Sequence, residues 1–186
     1  IESGMLTPAE FAAAVIPHGT TSMFTDPHEI ANVLGLAGVR LMHDEALMQP
    51  VNIWTQMPSC APSAPGMETT GYEISAEDVA EAMTWPGIIG LGEMMNFPGV
   101  AAADPQMLAE IAATQHAGKT VGGHYASPDL GRDFAAYGGG GPADPAHRCA
   151  YHPRRVRMCA RGQHAPLAPF FYRVRDGRDT SVHSVE

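Results

Sequence analysis

Two residues of this 186-residue sequence combine metal-ligand chemistry with an apolar setting, namely Glu93 and His124. Glu93 ends the apolar run IIGLGE, and His124 ends the later run TVGGH. Burying a carboxylate there costs free energy unless a hydrogen-bond donor, a cation or a metal ion pairs with it. Carboxylate and imidazole are ligand types that zinc, manganese and iron share. Both residues are therefore candidate metal ligands. The alternative is that Glu93 caps a helix or pairs with a cation and that His124 hydrogen-bonds within the core.

A second cluster, DPHE at residues 26–29, also contains ligand-type side chains. The start of a helix explains three of the four residues, because Asp26 can cap it, Pro27 can occupy its first turn and Glu29 can complement its dipole. His28 is the residue that this explanation leaves out. We therefore keep His28 as a candidate functional residue and expect Glu29 to serve the helix dipole rather than chemistry.

Other reactive residue types carry weaker signals. Ser59 and Cys60 could supply a nucleophile, but the sequence shows neither a GxSxG elbow nor a base paired with them. His18, His43 and His116 lie on or beside amphipathic segments, and we expect all three at the surface.

The elements that must position these side chains alternate between strands and helices over the first 125 residues. The β-prone segments are TTSMF, VNIWTQM, IIGLGE and TVGGH, and N-cap signals stand at Thr7, Asp26, Ser75 and Asp104, with capping boxes at Thr7 and Ser75. Alternation at this spacing is typical of βαβ units and predicts an α/β fold with a parallel sheet. Because chemistry in such folds collects where strands end, the candidate residues should share one edge of the sheet.

Composition excludes several classes of protein. Hydrophobic residues make up 45% of the chain, and no apolar stretch reaches the roughly 18 residues that a transmembrane helix needs. No GxGxxG or Walker motif follows a strand, and GGGGP at residues 138–142 lacks the Lys-Ser/Thr of a phosphate loop. The sequence therefore does not support nucleotide binding through a glycine-rich loop. The three cysteines lack CxxC spacing, which favours a reducing, cytoplasmic setting, and we expect no signal peptide.

The net charge of −9 conceals a break along the chain. Residues 1–147 carry 3 basic and 17 acidic residues, a balance of −14, whereas residues 148–186 carry 8 arginines and 3 acids, a balance of +5. A basic tail can indicate nucleic-acid binding. This tail contains no lysine and no clear apolar periodicity, and we expect no nucleic-acid partner.

Four long motifs carry a resemblance to a known family. They are IESGMLTPAEFAAAVIPHGTTSMFTDPHEIANVLGLAGV, MPSCAPSAP, GIIGLGEMMNFPGV and GKTVGGHYASPDLGRDFAAY. Together they resemble the bacterial adenine deaminases of the amidohydrolase superfamily. The resemblance covers about residues 1–143, nearly without gaps.

The resemblance implies a metal-dependent (βα)8 TIM-type barrel, of which residues 1–143 would form a part with about five βα units. It implies hydrolytic deamination of adenine to hypoxanthine and ammonia, with a divalent metal cofactor in the form of a binuclear manganese or iron centre. Glu93 matches the carboxylate that bridges the two ions and His124 a histidine ligand, while His28 and Glu29 match residues that line the substrate pocket. The implied partner is a small-molecule purine, without membrane or nucleic acid, and a homo-oligomer is left open.

The chain also departs from the family pattern. The His-x-His pair of strand one would precede Ile1, and the aspartate that shuttles protons would follow Glu186, so no catalytic residue is assigned. The Ser-Asp-His-Glu motif of strand six is matched only poorly, by Asp144 and His147 in PADPAHRCAYHP. We therefore expect the isolated chain to be inactive. The alternatives are an amidohydrolase for another heterocyclic amine or cyclic amide, and a non-catalytic remnant.

The arginine-rich residues 144–186 stand where the family continues with a helical segment. Translation of GC-rich DNA in a shifted frame yields Arg, Pro, His and Cys, so we predict that this tail is a frameshift product, non-native or disordered. Sequencing the genomic locus checks the prediction. A Ser-Asp-His-Glu motif in another frame is the expected result, and an uninterrupted frame that encodes this tail in close relatives contradicts it.

Overall fold

A computed structural model describes residues 1–128 and 131–141, together with the backbone of residues 144 and 145. Apart from those two, the predicted tail lies outside the described residues, and so does His147. The described helices are α1 (Pro8–Val15), α2 (His28–Leu34), α3 (Leu36–Leu47), α4 (Ala76–Ala82), α5 (Phe97–Ala101), α6 (Pro105–His116) and α7 (Arg132–Gly139). Short 3-10 turns occur at Glu2–Gly4 and Ile16–His18. None of these described helices is long and apolar enough to cross a membrane.

The strands form one parallel sheet in the order of the sequence. They are β1 (Ser22–Thr25), β2 (Asn52–Met57), β3 (Ile88–Met94), β4 (Thr120–Gly123) and the two-residue β5 (Asp144–Pro145). Each strand pairs in parallel with the next one along the chain. At least one helix lies in every connection between them, as a βα repeat requires. The predicted α/β fold with a parallel sheet is confirmed.

The helix starts follow the predicted cap signals only in part. Ser75 and Asp78 form the predicted capping box at the start of α4. Asp104 caps α6 by accepting hydrogen bonds from two backbone N–H groups of its first turn. The box predicted at Thr7 was wrong, because within the described residues the Thr7 side chain makes no cap hydrogen bond to α1.

The core lies between the sheet and the helices that cover it. Leu91 and Met94 of β3 are fully buried, and α6 packs against α4, β3 and β4. A parallel strand that is covered in this way is apolar nearly throughout, which is why IIGLGE contains a single charged residue. The charged side chain of β3, Glu93, therefore lies near the carboxyl end of the strand.

His43 is buried, so the prediction that it lies at the surface was wrong. Its Nε2–H donates to the carbonyl oxygen of Pro86 at 2.8 Å, and its ring stacks on Trp85 at 5.9 Å between centroids. Burial lowers the pKa of His43, which favours the neutral imidazole. The backbone acceptor makes burial tolerable, and spacing along α3 could not reveal it. His18 and His116 are exposed, as predicted.

Glu110 of α6 generates a prediction about the pH dependence of stability. The side chain is fully buried, and among the described residues its Oε2 atom has no hydrogen-bond partner. Burial raises the pKa of Glu110 to about 8. From about pH 4.5 to 8 the unfolded state is therefore ionised while the folded state holds the proton, so stability falls as the pH rises. We expect Glu110→Gln to raise the free energy of unfolding at pH 7 by roughly 2 kcal/mol.

Urea unfolding of the full chain at pH 5 and pH 8 measures this effect. The Gln variant should show a smaller difference between the two pH values than the parent. Glu81→Gln is the matched control, because Glu81 is an exposed carboxylate on the neighbouring helix α4. Parallel pH profiles for the parent and Glu110→Gln would show that Glu110 is ionised in the folded state.

Candidate functional site

The edge of the sheet that carries Glu93 contains a β-bulge. The register between β3 and β4 shifts between Leu91 and Met94. As a result, Gly92 and Glu93 stand opposite a single residue of β4, Gly122. An extra residue disrupts the ladder of backbone hydrogen bonds, and bulges beside active sites re-aim a side chain. The backbone N–H and C=O of Glu93 consequently need partners from elsewhere.

Side chains from the ends of two other strands supply those partners. The carboxylate of Asp26, directly after β1, accepts a 2.9 Å hydrogen bond from the N–H of Glu93. The hydroxyl of Ser59, two residues after β2, donates a 2.7 Å hydrogen bond to the C=O of Glu93. The prediction that Asp26 caps α2 was therefore wrong. Pro27 is the N-cap, and no side chain in the described part of the chain caps that helix.

Glycines make room for these contacts. A Cβ on Gly92 would overlap the carboxylate oxygens of Asp26. A Cβ on Gly90 would overlap the backbone carbonyl of Thr120 on β4. Close approach of a side chain in one case and of a neighbouring strand in the other thus explains both glycines of GLGE.

The structure brings the two candidate metal ligands into contact. Nδ1 of His124 lies 2.9 Å from Oε2 of Glu93, across the ends of β4 and β3. Both side chains are half-buried, with 28% of His124 and 22% of Glu93 exposed. A neutral imidazole that donates through Nδ1 to a carboxylate carries its lone pair on Nε2. A cation bound at Nε2 would keep this hydrogen bond, whereas a cation bound at Nδ1 would replace it.

His28 lies between two carboxylates at the same edge. Its Nδ1 is 3.6 Å from Oδ1 of Asp26, and its Nε2 is 3.6 Å from Oε2 of Glu29. Against the effect of burial, the carboxylate of Asp26 raises the pKa of His28 to about 9, with smaller contributions from Glu29 and Glu93. His28 is thus a cation at neutral pH. Glu29 lies in the first turn of α2 as predicted, and it also accepts a 2.6 Å hydrogen bond from the Ser3 hydroxyl.

Neither Ser59 nor Cys60 has the surroundings of an activated nucleophile. Ser59 directs its hydroxyl proton to the Glu93 carbonyl. Cys60 is a buried free thiol. Burial first, and then the charge of Asp26, raise the pKa of Cys60, which disfavours the reactive thiolate. This geometry agrees with the absence of a nucleophile signature in the sequence.

The donor atoms at this edge suit a divalent cation. Glu93 supplies a carboxylate and His124 an imidazole, and both bind zinc, manganese and iron. The Oδ1 atom of Asp26 is a buried oxygen that has no hydrogen-bond partner among the described residues. Within residues 1–128 and 131–141, no group of three His, Cys, Asp or Glu side chains is arranged to hold an ion. The described residues thus supply part of a ligand set, and the assignment of Glu93 and His124 as ligands stays a prediction.

Tyr137 of α7 is a residue at this site that sequence reasoning missed. Its hydroxyl accepts a 2.8 Å hydrogen bond from the backbone N–H of His124 and donates one of 2.7 Å to the C=O of Met94. An aromatic residue at helical spacing normally indicates core packing, so no local signal distinguished it. By contrast, Asp26 and Ser59 each follow a strand, and that position placed both at this edge from the sequence, although their bonds to the Glu93 backbone were not foreseen.

Comparison with known proteins decides the family. The amidohydrolase family profile matches residues 1–165. The chain belongs to the amidohydrolase family. Over 144 residues it is 90% identical to the adenine deaminases of Ruegeria sp. (strain TM1040) and Ruegeria pomeroyi, and each alignment covers 77% of this chain and 24% of the relative. The adenine deaminase of Moorella thermoacetica is 55% identical over 137 residues, which are 74% of this chain and 23% of the relative.

This amidohydrolase chain thus spans about a quarter of the length of the curated relatives that it matches. The resemblance inferred from the four motifs is confirmed. The stretches that carry it include GIIGLGEMMNFPGV and GKTVGGHYASPDLGRDFAAY, which contain the bulge and both candidate ligands. The segments that resemble the family thus include the strand ends that carry the candidate site.

Gly92→Ala is expected to destabilise this amidohydrolase by about 1–3 kcal/mol. The added methyl group displaces the carboxylate of Asp26 and leaves the N–H of Glu93 without its hydrogen bond. Urea unfolding of the full chain, followed by circular dichroism, measures the change. Gly90→Ala should destabilise more, because its new Cβ meets backbone rather than a side chain that can move.

Gly139→Ala is the control for this series. Nothing lies within 4 Å of a Cβ at Gly139, which ends α7. Its unfolding midpoint should stay at or above that of the parent, because alanine has the higher helix propensity. A midpoint for Gly92→Ala equal to that of Gly139→Ala would contradict the proposed role of the Asp26 contact.

Proposed function

We propose that the protein to which this chain belongs removes the amino group of adenine by hydrolysis, giving hypoxanthine and ammonia. The observation that carries the proposal is the 90% identity over 144 residues to a protein named adenine deaminase. That stretch includes the half-buried pair Glu93 and His124. The proposed substrate is accordingly a small-molecule purine.

The parallel sheet is proposed to be part of a (βα)8 barrel. The sequential strand order supports this proposal, since a barrel adds each βα unit beside the preceding one. In such barrels the active site occupies the carboxyl ends of the strands, where Asp26, Glu93 and His124 converge. We place the end of the barrel segment near residue 143 and treat residues 144–186 as a separate arginine-rich tail, because the charge balance changes from −14 over residues 1–147 to +5 over residues 148–186. The backbone of Asp144–Pro145 still pairs with β4, and the family profile extends to residue 165.

Glu93 and His124 are the residues proposed to hold the cofactor, a divalent and binuclear manganese or iron centre. When bound, such ions supply Lewis acidity that lowers the pKa of water towards neutrality. The carboxylate of Glu93 has two oxygens, so it can serve more than one partner at once. His124 offers an imidazole lone pair, and its contact with Glu93 keeps the ring oriented.

His28 and Glu29 are proposed to line the substrate pocket. The ring nitrogens of adenine accept hydrogen bonds, and His28 can donate to them as a cation below about pH 9. The exocyclic amino group of adenine donates hydrogen bonds, which the carboxylate of Glu29 can accept. The 3.6 Å separation between His28 and Glu29 places a donor and an acceptor side by side.

We propose a cytoplasmic location, which the buried free thiol of Cys60 supports because such thiols persist in reducing compartments. We propose no nucleic-acid and no membrane partner. The oligomeric state is left open between a monomer and a homo-oligomer.

A chimaeric enzyme tests the proposed function. The matched segment of this chain replaces its counterpart in the adenine deaminase of Ruegeria sp. (strain TM1040), to which it is 90% identical. We expect the chimaera, supplied with manganese, to convert adenine to hypoxanthine. Glu93→Gln and His124→Ala in the chimaera should each lower kcat/KM by at least about 100-fold, because each removes a proposed ligand. Ultraviolet absorbance of adenine and hypoxanthine follows the reaction.

His116→Ala is the control in the same chimaera, since His116 is exposed at the end of α6 and should leave activity within about twofold. The isolated 186-residue chain with manganese is the comparator, and we expect it to form no hypoxanthine. An inactive chimaera beside an active Ruegeria parent contradicts the proposed function. Full activity of Glu93→Gln contradicts the ligand assignment alone.

A further inference from the structure

We infer that Tyr137 is a positioning residue that fixes the spacing between Glu93 and His124. The contacts are observed, whereas the use of that spacing rests on the proposed function. One phenol oxygen of α7 joins the ends of β3 and β4, the two strands that deliver the pair. Tyr137 would act through these backbone groups and would not touch substrate.

The hydroxyl of Tyr137 substitutes for backbone pairing at the point where the sheet is irregular. It donates to the C=O of Met94, the residue after Glu93, and accepts from the N–H of His124. The bulge in β3 lies immediately before Met94. Because a bulge interrupts the ladder there, the hydroxyl ties two strand ends at the site of the irregularity.

Burial makes this pair of hydrogen bonds, from the Tyr137 hydroxyl to Met94 and from His124 to that hydroxyl, rigid. Tyr137 is fully buried, and its ring packs against the ring of Tyr125 at 5.5 Å between centroids. An N–H whose hydrogen bond is shielded from water exchanges its proton with solvent slowly, and a packed ring holds the phenol oxygen in one place. Tyr137→Phe keeps the ring and removes only the oxygen, so it separates the effect of the two hydrogen bonds from the effect of core packing.

The two hydrogen bonds of the Tyr137 hydroxyl lie beside the pair Glu93 and His124, whose side chains are 2.9 Å apart. A change in the spacing of the strand ends would therefore change that distance. Asp26 and Ser59 fix the peptide groups of Glu93 from one side of the site. Tyr137 is the described side chain that bonds to the backbone of both β3 and His124. A shift of about 1 Å between the two strand ends is enough to disturb a preorganised site.

Thr114 offers a matched control variant. Its hydroxyl is also fully buried and also donates to a backbone carbonyl, that of Glu110, at 3.0 Å. Thr114 lies in α6, and its bond stays within that helix. Thr114→Val therefore removes a buried hydroxyl and a hydrogen bond to a backbone carbonyl, but it leaves both hydrogen bonds of Tyr137 to the strand ends in place.

Nitrogen-15 NMR of the metal-free full chain tests the inference. We expect the parent to show the Nδ1 signal of His124 as a hydrogen-bonded N–H. In Tyr137→Phe the Nδ1 signal should move towards the average of the two ring tautomers, and the His124 amide should exchange with solvent about tenfold faster. Thr114→Val should change neither. Replacement of Tyr137 by 3-fluorotyrosine, which weakens the oxygen as an acceptor, should accelerate the same exchange even where the Phe variant does not fold.

Unchanged Nδ1 and amide signals of His124 in the Phe or fluorotyrosine variant overturn the inference, and so does an equal change in Thr114→Val. The measurement uses neither metal nor adenine. An inactive chimaera would therefore contradict the proposed function but not the positioning role of Tyr137. Unchanged His124 signals would contradict the positioning role but not the proposed function.

Discussion

The hydrogen bonding of the Glu93 backbone is the constraint on which the described site depends. The bulge in β3 brings the Glu93 carboxylate to the edge of the sheet, and in doing so it removes the adjoining peptide groups from regular pairing. Backbone groups that leave a ladder must find other partners. Asp26 and Ser59, from the ends of β1 and β2, bond to the N–H and C=O of Glu93. These two hydrogen bonds thus join the ends of β1 and β2 to the end of β3.

The same constraint organises the charges at this edge. Asp26 accepts a hydrogen bond from the Glu93 backbone with one oxygen and faces His28 with the other. Glu29 lies on the far side of His28, and Glu93 contacts His124. The cationic His28 thus lies between Asp26 and Glu29 and limits the repulsion between these two carboxylates. This grouping of carboxylate and imidazole side chains suits the divalent cofactor that we propose for this site.

Close backbone approach explains how so many groups converge in a small volume. Gly90 allows β3 to lie against Thr120 of β4, and Gly92 admits the carboxylate of Asp26. Apart from Glu93, β3 is apolar, and its Leu91 and Met94 are inaccessible to solvent. Rigid packing beneath the edge and hydrogen bonds above it hold the half-buried pair in a single arrangement.

The sequence by itself determined the features that depend on neighbouring residues. The alternation of apolar runs and helical segments predicted the parallel sheet, and local cap chemistry at Ser75 and Asp104 predicted two helix starts. The ends of the runs IIGLGE and TVGGH placed Glu93 and His124 at one edge. Only the tertiary structure decided that Asp26 bonds to Glu93, 67 residues away, rather than capping its own helix, and that the hydroxyl of Tyr137 joins two strands. Such pairings depend on the strand register and on a bulge, and a pattern of residue types specifies neither, because the competing partners are equally suitable until the sheet has formed.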